Sequence, residues 1–256
     1  MRRTLCVTKT TMKEKALQQY KHFFFDMDGT LTKSRTEIDG NVALALATLI
    51  GRGKTVAVIS GATNAQIYKQ IPFLGNSVRA FVMGQSGNDV RFGWEHYWTN
   101  KLEEAEVQKI TNHIEQLLQF RGTTDTTDLV EYRGAQVSFS MVGHNADLEV
   151  KKKFDPDGTK RRAVLDAIPF EEDGMMVKIG GTTCLDYTRK GWGKRGNIKR
   201  LIEHLHIEAE DCLYIGDQLY SGGNDEDMIG FIDTRAVTSP EDTLELINQI
   251  TNDKST

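Results

Sequence analysis

Apolar and polar positions fall into two rhythms along this chain. In one, short continuous apolar runs stop abruptly at glycine, serine or aspartate, the pattern of strands buried on both faces. Such runs begin at His22, Thr55, Ala80, Cys212 and Phe231. Between them lie helical stretches rich in Ala and Leu or periodic in apolar residues: Ile38 to Ile50, closed by Gly51-Arg52-Gly53, then Ala62 to Gln70, Asn197 to His204, and Pro240 to Ile250 with a proline at its start. Strand, helix, strand, helix, strand predicts an α/β fold with a doubly wound, Rossmann-like parallel sheet. Asp89 to Phe92 reads as a hairpin or edge strand. Residues 1–21 read as an N-terminal extension, with a helical turn or two between Glu14 and Tyr20.

The second rhythm occupies the middle. Lys101 to Phe120 carries Leu102, Ala105, Val107, Ile110, Ile114, Leu117 and Leu118, a helical stripe. Leu129–Arg133 and Gln136–Val142 alternate and are separated by Gly134-Ala135, which reads as a hairpin. A charged stretch, Asp147 to Phe170, holds a helix over Arg161 to Ala167. Met175–Ile179 and Cys184–Thr188 then flank Gly180-Gly181. Helix plus hairpins predicts an α+β module of about a hundred residues, an ordinary domain size. It is placed at 92–190, inserted between the halves of a core at 22–91 and 191–256. Trp94, Tyr97 and Trp98 are expected to pack where the chain enters it.

The first apolar run ends in chemistry: His22-Phe23-Phe24-Phe25-Asp26-Met27-Asp28-Gly29-Thr30-Leu31-Thr32. Residues i and i+2 of a strand point the same way, so Asp26 and Asp28 can face one site at the carboxyl end of a parallel sheet. Two carboxylates so close repel unless a proton or a cation intervenes, and hard divalent cations take oxygen ligands. An Asx-type turn explains Asp28-Gly29 but neither the second Asp nor the hydroxyls.

Composition narrows the field. The chain has 256 residues, 39% hydrophobic, with a formal net charge of −4. A general nucleic-acid binder is more often basic. Cys6, Cys184 and Cys212 are scattered and odd in number, which fits a reducing cytoplasm rather than a disulfide framework. No apolar run approaches the ~20 residues of a membrane span. There is no Gly-x-x-x-x-Gly-Lys-Ser/Thr string, so a P-loop kinase is excluded. His204 and His206 lack the spacing of a helical zinc pair, and Lys151-Lys152-Lys153 reads as a solvated run.

The Asp26 string resembles the first motif of the haloacid dehalogenase-like (HAD) superfamily of phosphotransferases, Asp-x-Asp-Gly-Thr. The resemblance implies Asp26 as the nucleophile that takes the phosphoryl group, Asp28 as general acid/base, and Mg2+ between Asp26 and the backbone carbonyl of Asp28. It further implies that the backbone after Asp26, at Met27, and Ser60-Gly61 bind the transferring phosphoryl group. Ser60-Gly61 alone reads equally as a helix cap. Lys194 is implied to pair with the nucleophile, Asp217 to ligate the metal, Asp225 to act as an outer or second ligand, and Asn224 to support it. Such preorganised charge is worth ~3 kcal/mol per well-placed donor.

The resemblance extends to the capped type IIB branch, with its C2-type α+β cap, and within it to the eukaryotic-type phosphomannomutases. It is carried by Asp28 through Arg35, by Glu131-Tyr132-Arg133, by Gly191-Trp192-Gly193-Lys194, and by the long spacer from Gly216 to Gly222-Gly223-Asn224-Asp225. It implies substrate contacts from Arg35, Arg133, Lys151 and Asp186. Two arginines of the branch's cap fall at His144 and Lys151, and a serine falls at Cys184. Lysine keeps the charge but loses the bidentate fork, and a histidine is mostly neutral near pH 7. A mutase must hold a bisphosphorylated intermediate and exclude water; a phosphatase need grip only one phosphate. The expectation is therefore a Mg2+-dependent phosphatase acting on a sugar phosphate, with phosphomannomutase as the alternative and a non-catalytic binding protein ranked below both. The implied partners are a small phosphorylated substrate, no nucleic acid and no membrane, and the branch admits a homodimer through the cap.

Overall fold

The computed structural model describes residues 15–76, 79–93, 95–120 and 127–252. Its organising element is β1 (His22–Asp26), whose three phenylalanines are buried on both faces. β1 lies between β2 (Thr55–Ile59) and β10 (Cys212–Gly216), parallel to both; β3 (Ala80–Gly84) and β11 (Asp233–Ala236) extend the parallel sheet outwards. Two antiparallel strands, β4 (Asp89–Phe92) and β5 (Glu95–Thr99), complete the order β11-β10-β1-β2-β3-β4-β5. Glu95–Thr99 was expected in the inserted module. It pairs with β4 instead, with Trp98 opposite Val90, and moves the edge of the large sheet beyond residue 92.

Helices cover both faces. Phe23, Phe25, Val56 and Val58 pack under α1 (Gly40–Gly51), α2 (Asn64–Gln70) and α7 (Pro240–Thr251). Phe24, Ala57, Ile59 and Tyr214 face the other way, onto Ile198, Leu201 and Ile202 of α6 (Lys194–Leu205). The helix starts follow from capping chemistry. Asp39 accepts from the Asn41 amide, Thr63 from Gln66, and Ser239 from Asp242 just before Pro240.

The second sheet has the order β6-β7-β9-β8, from β6 (Val130–Tyr132), β7 (Gln136–Ser140), β8 (Met175–Gly180) and β9 (Cys184–Arg189). The two hairpins join because β7 and β9 pair, Ser138 opposite Asp186. Val137, Phe139, Leu185 and Tyr187 point to one face and pack on Ile110, Ile114, Leu117 and Leu118 of α3 (Glu104–Phe120). By the alternation of a strand, Ser138, Cys184, Asp186 and Lys178 lie on the opposite face. Two short helices, α4 (Leu148–Phe154) and α5 (Thr159–Ala167), add Phe154, Val164 and Leu165 to the same apolar cluster as α3. Arg161 of α5 is buried: Nε donates to Asp155 Oδ2 at 2.8 Å, and the guanidinium also reaches the carbonyls of Asp155, Gly180, Gly181 and Cys184.

The chain passes between the sheets near residues 100 and 191, and both passages meet at buried Asn88. Its Oδ1 accepts from Asn100 Nδ2 at 2.9 Å, while its Nδ2 donates to the Trp192 carbonyl at 2.8 Å. Tyr97 and Trp98 pack on His204 of α6 at this corner; Trp94 lies outside the described residues. Among the described residues, no helix is long and apolar enough to cross a membrane.

Candidate active site

Parallel register brings the site together. Phe25 pairs with Ile215, so Asp26 at the end of β1 sits level with Gly216 at the end of β10, and Asp217 follows. The turn after Asp26 is closed by the Met27 carbonyl, which accepts from the Leu31 and Thr32 amides at 2.9 and 3.0 Å. Gly29 has φ +88°, and a Cβ there would stand 2.4 Å from Asp217 Oδ2. The bare glycine lets the two loops touch.

Asp26, Asp217 and Asp225 converge, with one carboxylate oxygen from each lying within 4.8 Å of the others. Lys194, at the first turn of α6, is buried among them. Its Nζ lies 2.5 Å from Asp26 Oδ1 and 2.7 Å from Asp225 Oδ1, with Asn224 Oδ1 at 3.4 Å. Burial pulls the Lys194 ammonium down, but Asp26 and Asp225 outweigh it and hold it protonated, above its ordinary range. Burial pushes Asp26 up to about 6; Lys194 opposes this, and Asp225 and Asp217 add to it. Asp217 is raised too, by burial and then by Asp225.

A lone lysine therefore faces three gathered carboxylates. Asp217 Oδ1 is buried and has no hydrogen-bond partner among the described residues. An orphaned carboxylate oxygen inside an over-acidic cluster of hard oxygen donors fits a divalent cation of the Mg2+ class. The Asp28 carboxylate stands outside this cluster. Its Oδ1 accepts from the Arg35 amide at 2.9 Å, so any share Asp28 takes in metal binding falls to its backbone.

The remaining expected residues divide by sheet. Met27 has its side chain in the core and offers only backbone. Ser60 follows β2, and its Oγ accepts from the Ala62 amide at 3.1 Å; it does not cap the helix, which starts at Asn64 under Thr63, and Gly61 stands beside it in the open. Arg35 is exposed, with φ 59°. On the smaller sheet, Arg133 Nε donates to Glu131 Oε2 at 2.9 Å. His144 Nε2 lies 3.1 Å from the Ser138 carbonyl, and Lys151 Nζ donates to the His144 carbonyl at 2.8 Å. Asp186 Oδ1 accepts from Ser138 Oγ at 2.6 Å. Cys184 is half-buried beside Thr183. Lys178 reaches across to the larger sheet's loops, 3.7 Å from Asp227 Oδ2.

Two contacts escape a sequence reading. One is Lys178. The other is Tyr214, fully buried in β10, whose hydroxyl donates to Asp225 Oδ1 at 2.5 Å. Burial, then the charges of Asp26 and Asp225, push its phenol well above the ordinary value, so it keeps its proton and acts as donor. The available signal was parity: Tyr214 precedes Gly216 by two and pairs with Phe24, which precedes Asp26 by two.

A family description, eukaryotic phosphomannomutase, matches residues 55–253. A phosphomannomutase of Schizosaccharomyces pombe is 28% identical over 248 residues, covering 89% of this chain and 93% of that one. Human phosphomannomutase 1 is 27% identical over 249 residues, covering 88% and 90%. Among solved structures, a haloacid dehalogenase-like hydrolase from Bacteroides thetaiotaomicron superposes with a TM-score of 0.64 at 16% identity, over 90% of this chain and 99% of that one. An IMP-bound, N-terminally truncated IMP-nucleotidase from Plasmodium falciparum gives 0.63 at 17%, over 92% and 71%. At such identities the two structures speak for the fold alone: a HAD-type α/β core with a second, antiparallel sheet.

Proposed function

Because this chain belongs to the eukaryotic phosphomannomutase family of HAD phosphotransferases, we propose that it moves the phosphoryl group of a small sugar phosphate by way of Asp26. The observation that carries the reading is Lys194, buried and shared between Asp26 and Asp225 beside the orphaned oxygen of Asp217. Asp26, Asp217 and Asp225 would hold Mg2+, with Asn224 beside them. When bound, the ion offsets the charge of the nucleophile and of the phosphoryl oxygens.

The chain's own groups account for the rest. An Asp26 oxygen forms a bond to phosphorus as the bond from phosphorus to the leaving sugar oxygen breaks. Lys194, already on Asp26 Oδ1, balances the charge that builds on the phosphoryl oxygens. Asp28, at the mouth of the turn and held by the Arg35 amide, gives its proton to the leaving oxygen. It then takes a proton from the acceptor hydroxyl that attacks the aspartyl-phosphate, and Asp26 is restored. The smaller sheet serves as the substrate-specificity cap, with Asp186 as the sugar-hydroxyl contact.

Full-length relatives named phosphomannomutase put interconversion of mannose 1-phosphate and mannose 6-phosphate first, while the expected phosphatase draws no specific support from them. One observation keeps hydrolysis as a second reading. Arg133, His144 and Lys151 each already have partners around the smaller sheet, so the anion clamp a bisphosphorylated intermediate needs is partly spent. The test is to incubate the protein and Mg2+ with mannose 1-phosphate, with and without a hexose bisphosphate, following mannose 6-phosphate and free phosphate. Bisphosphate-dependent mannose 6-phosphate supports the mutase, and free phosphate alone supports the hydrolase. Asp26→Asn abolishes both; substantial residual turnover in a folded variant refutes the nucleophile.

A further inference from the structure

Tyr214 has no place in the reaction as written, yet its hydroxyl lies inside the site. Phenylalanine fills the same volume of the core, and a buried hydroxyl costs stability unless it is bonded. The bond it makes is to Asp225 Oδ1 at 2.5 Å, the oxygen that also takes Lys194 Nζ at 2.7 Å. Tyr214 Oη lies 3.4 Å from that same Nζ. The other Asp225 oxygen accepts from the Gln218 amide at 3.3 Å. Both partners are locked in place by bare Gly216: a Cβ there would stand 2.5 Å from Asp225 Oδ2 and 2.9 Å from Tyr214 Cε1.

We propose that Tyr214 is a positioning residue for this site: its hydroxyl occupies Asp225 so that Lys194 is divided between Asp225 and the nucleophile rather than drawn wholly to Asp225. The hydroxyl donates a neutral hydrogen bond to a carboxylate that has no solvent to share its charge. That bond weakens the carboxylate's pull on the lysine and equally on a cation. Take the hydroxyl away, and Lys194 shifts toward Asp225, Asp26 loses part of its ammonium, and Asp225 becomes a more negative ligand. The effects on chemistry and on cation binding then have opposite signs. Loss of packing alone would weaken both.

The inference rests on the phosphotransfer reading and is tested with Tyr214→Phe in the full chain, using Mn2+ as the probe. Free Mn2+ is counted by electron paramagnetic resonance, with no substrate present, and steady-state kinetics are run on mannose 1-phosphate. The expected result is Mn2+ bound several-fold more tightly, kcat lower by about tenfold, the scale of one charge-assisted hydrogen bond, and KM nearly unchanged. Mn2+ affinity unchanged or weakened in the folded variant, or kcat unchanged, overturns the proposal. Absence of Mn2+ binding by the unsubstituted protein would instead overturn the metal reading beneath it.

Discussion

Replacing Lys194 by methionine probes the charge balance of the site without reference to turnover. The side chain is of similar length and apolar, so the space stays filled while the cation goes. What remains is Asp26, Asp217 and Asp225, with Asp26 and Asp225 nearly sealed from water. Removing one partner of a buried ion pair typically costs about 3–5 kcal/mol, because the abandoned charge keeps its desolvation penalty. Here two ammonium contacts are lost, at 2.5 and 2.7 Å, which puts the loss at the upper end of that range in chelator. A divalent cation replaces the missing positive charge. At a hundred times its Kd it returns about 2.7 kcal/mol to the form that binds it, and the lysine-free cluster binds it more tightly. Urea unfolding followed by tryptophan fluorescence, in EDTA and in excess Mg2+, measures both numbers. Because the unsubstituted protein gains from the ion too, the deficit of Lys194→Met should shrink by the difference of the two gains, about 1.4 kcal/mol for each tenfold by which the lysine-free cluster binds Mg2+ more tightly. A deficit that is the same in both media, or small in EDTA, would refute the picture of an over-acidic cluster balanced by one lysine.

Other positions make separate demands. Gly29→Ala places a Cβ at φ +88° against Asp217, so it should lose about 1–2 kcal/mol from backbone strain alone and also bind Mg2+ more weakly; unchanged Mg2+ affinity by calorimetry contradicts the close approach of the two loops. Arg161→Met strands Asp155 and frees the carbonyls of Gly180, Gly181 and Cys184, and should cost about 3–5 kcal/mol in thermal or urea unfolding; a loss under about 1 kcal/mol would mean water already serves those groups.

Much of the large sheet was legible because a parallel strand covered on both faces must be apolar throughout, and β1, β2, β3 and β10 each stop at a turn residue. β5 was not, since Glu95, His96 and Thr99 give an edge strand the polarity of a linker. α4 was hidden by Lys151-Lys152-Lys153, although Asp147, whose Oδ1 accepts from the Glu149 and Val150 amides, announces its start. Adjacent hairpins reveal themselves locally, whereas the pairing of β7 with β9 depends on how the hairpins meet. In the site, Asp26 stood out because it ends an apolar run two residues before a second aspartate, whereas Lys194, Asp217 and Asp225, each ordinary on its own, were marked out by the resemblance of their motifs to a known family's. Tyr214 did not, because a tyrosine within an apolar run reads as filling until the register places it beside Asp225. Arg161 reads as one more polar residue of a helix until its partners are known.

The two passages of chain between the sheets are fastened to one another at Asn88, which holds the Asn100 side chain on one atom and the Trp192 carbonyl on another. Looser ties lie further out, where Gln85 Oε1 accepts from the Ala135 amide at 3.3 Å and Lys178 stands 3.7 Å from Asp227. A rotation of the smaller sheet about the Asn88 knot would break these outer ties first and carry Asp186 and Lys178 through an arc.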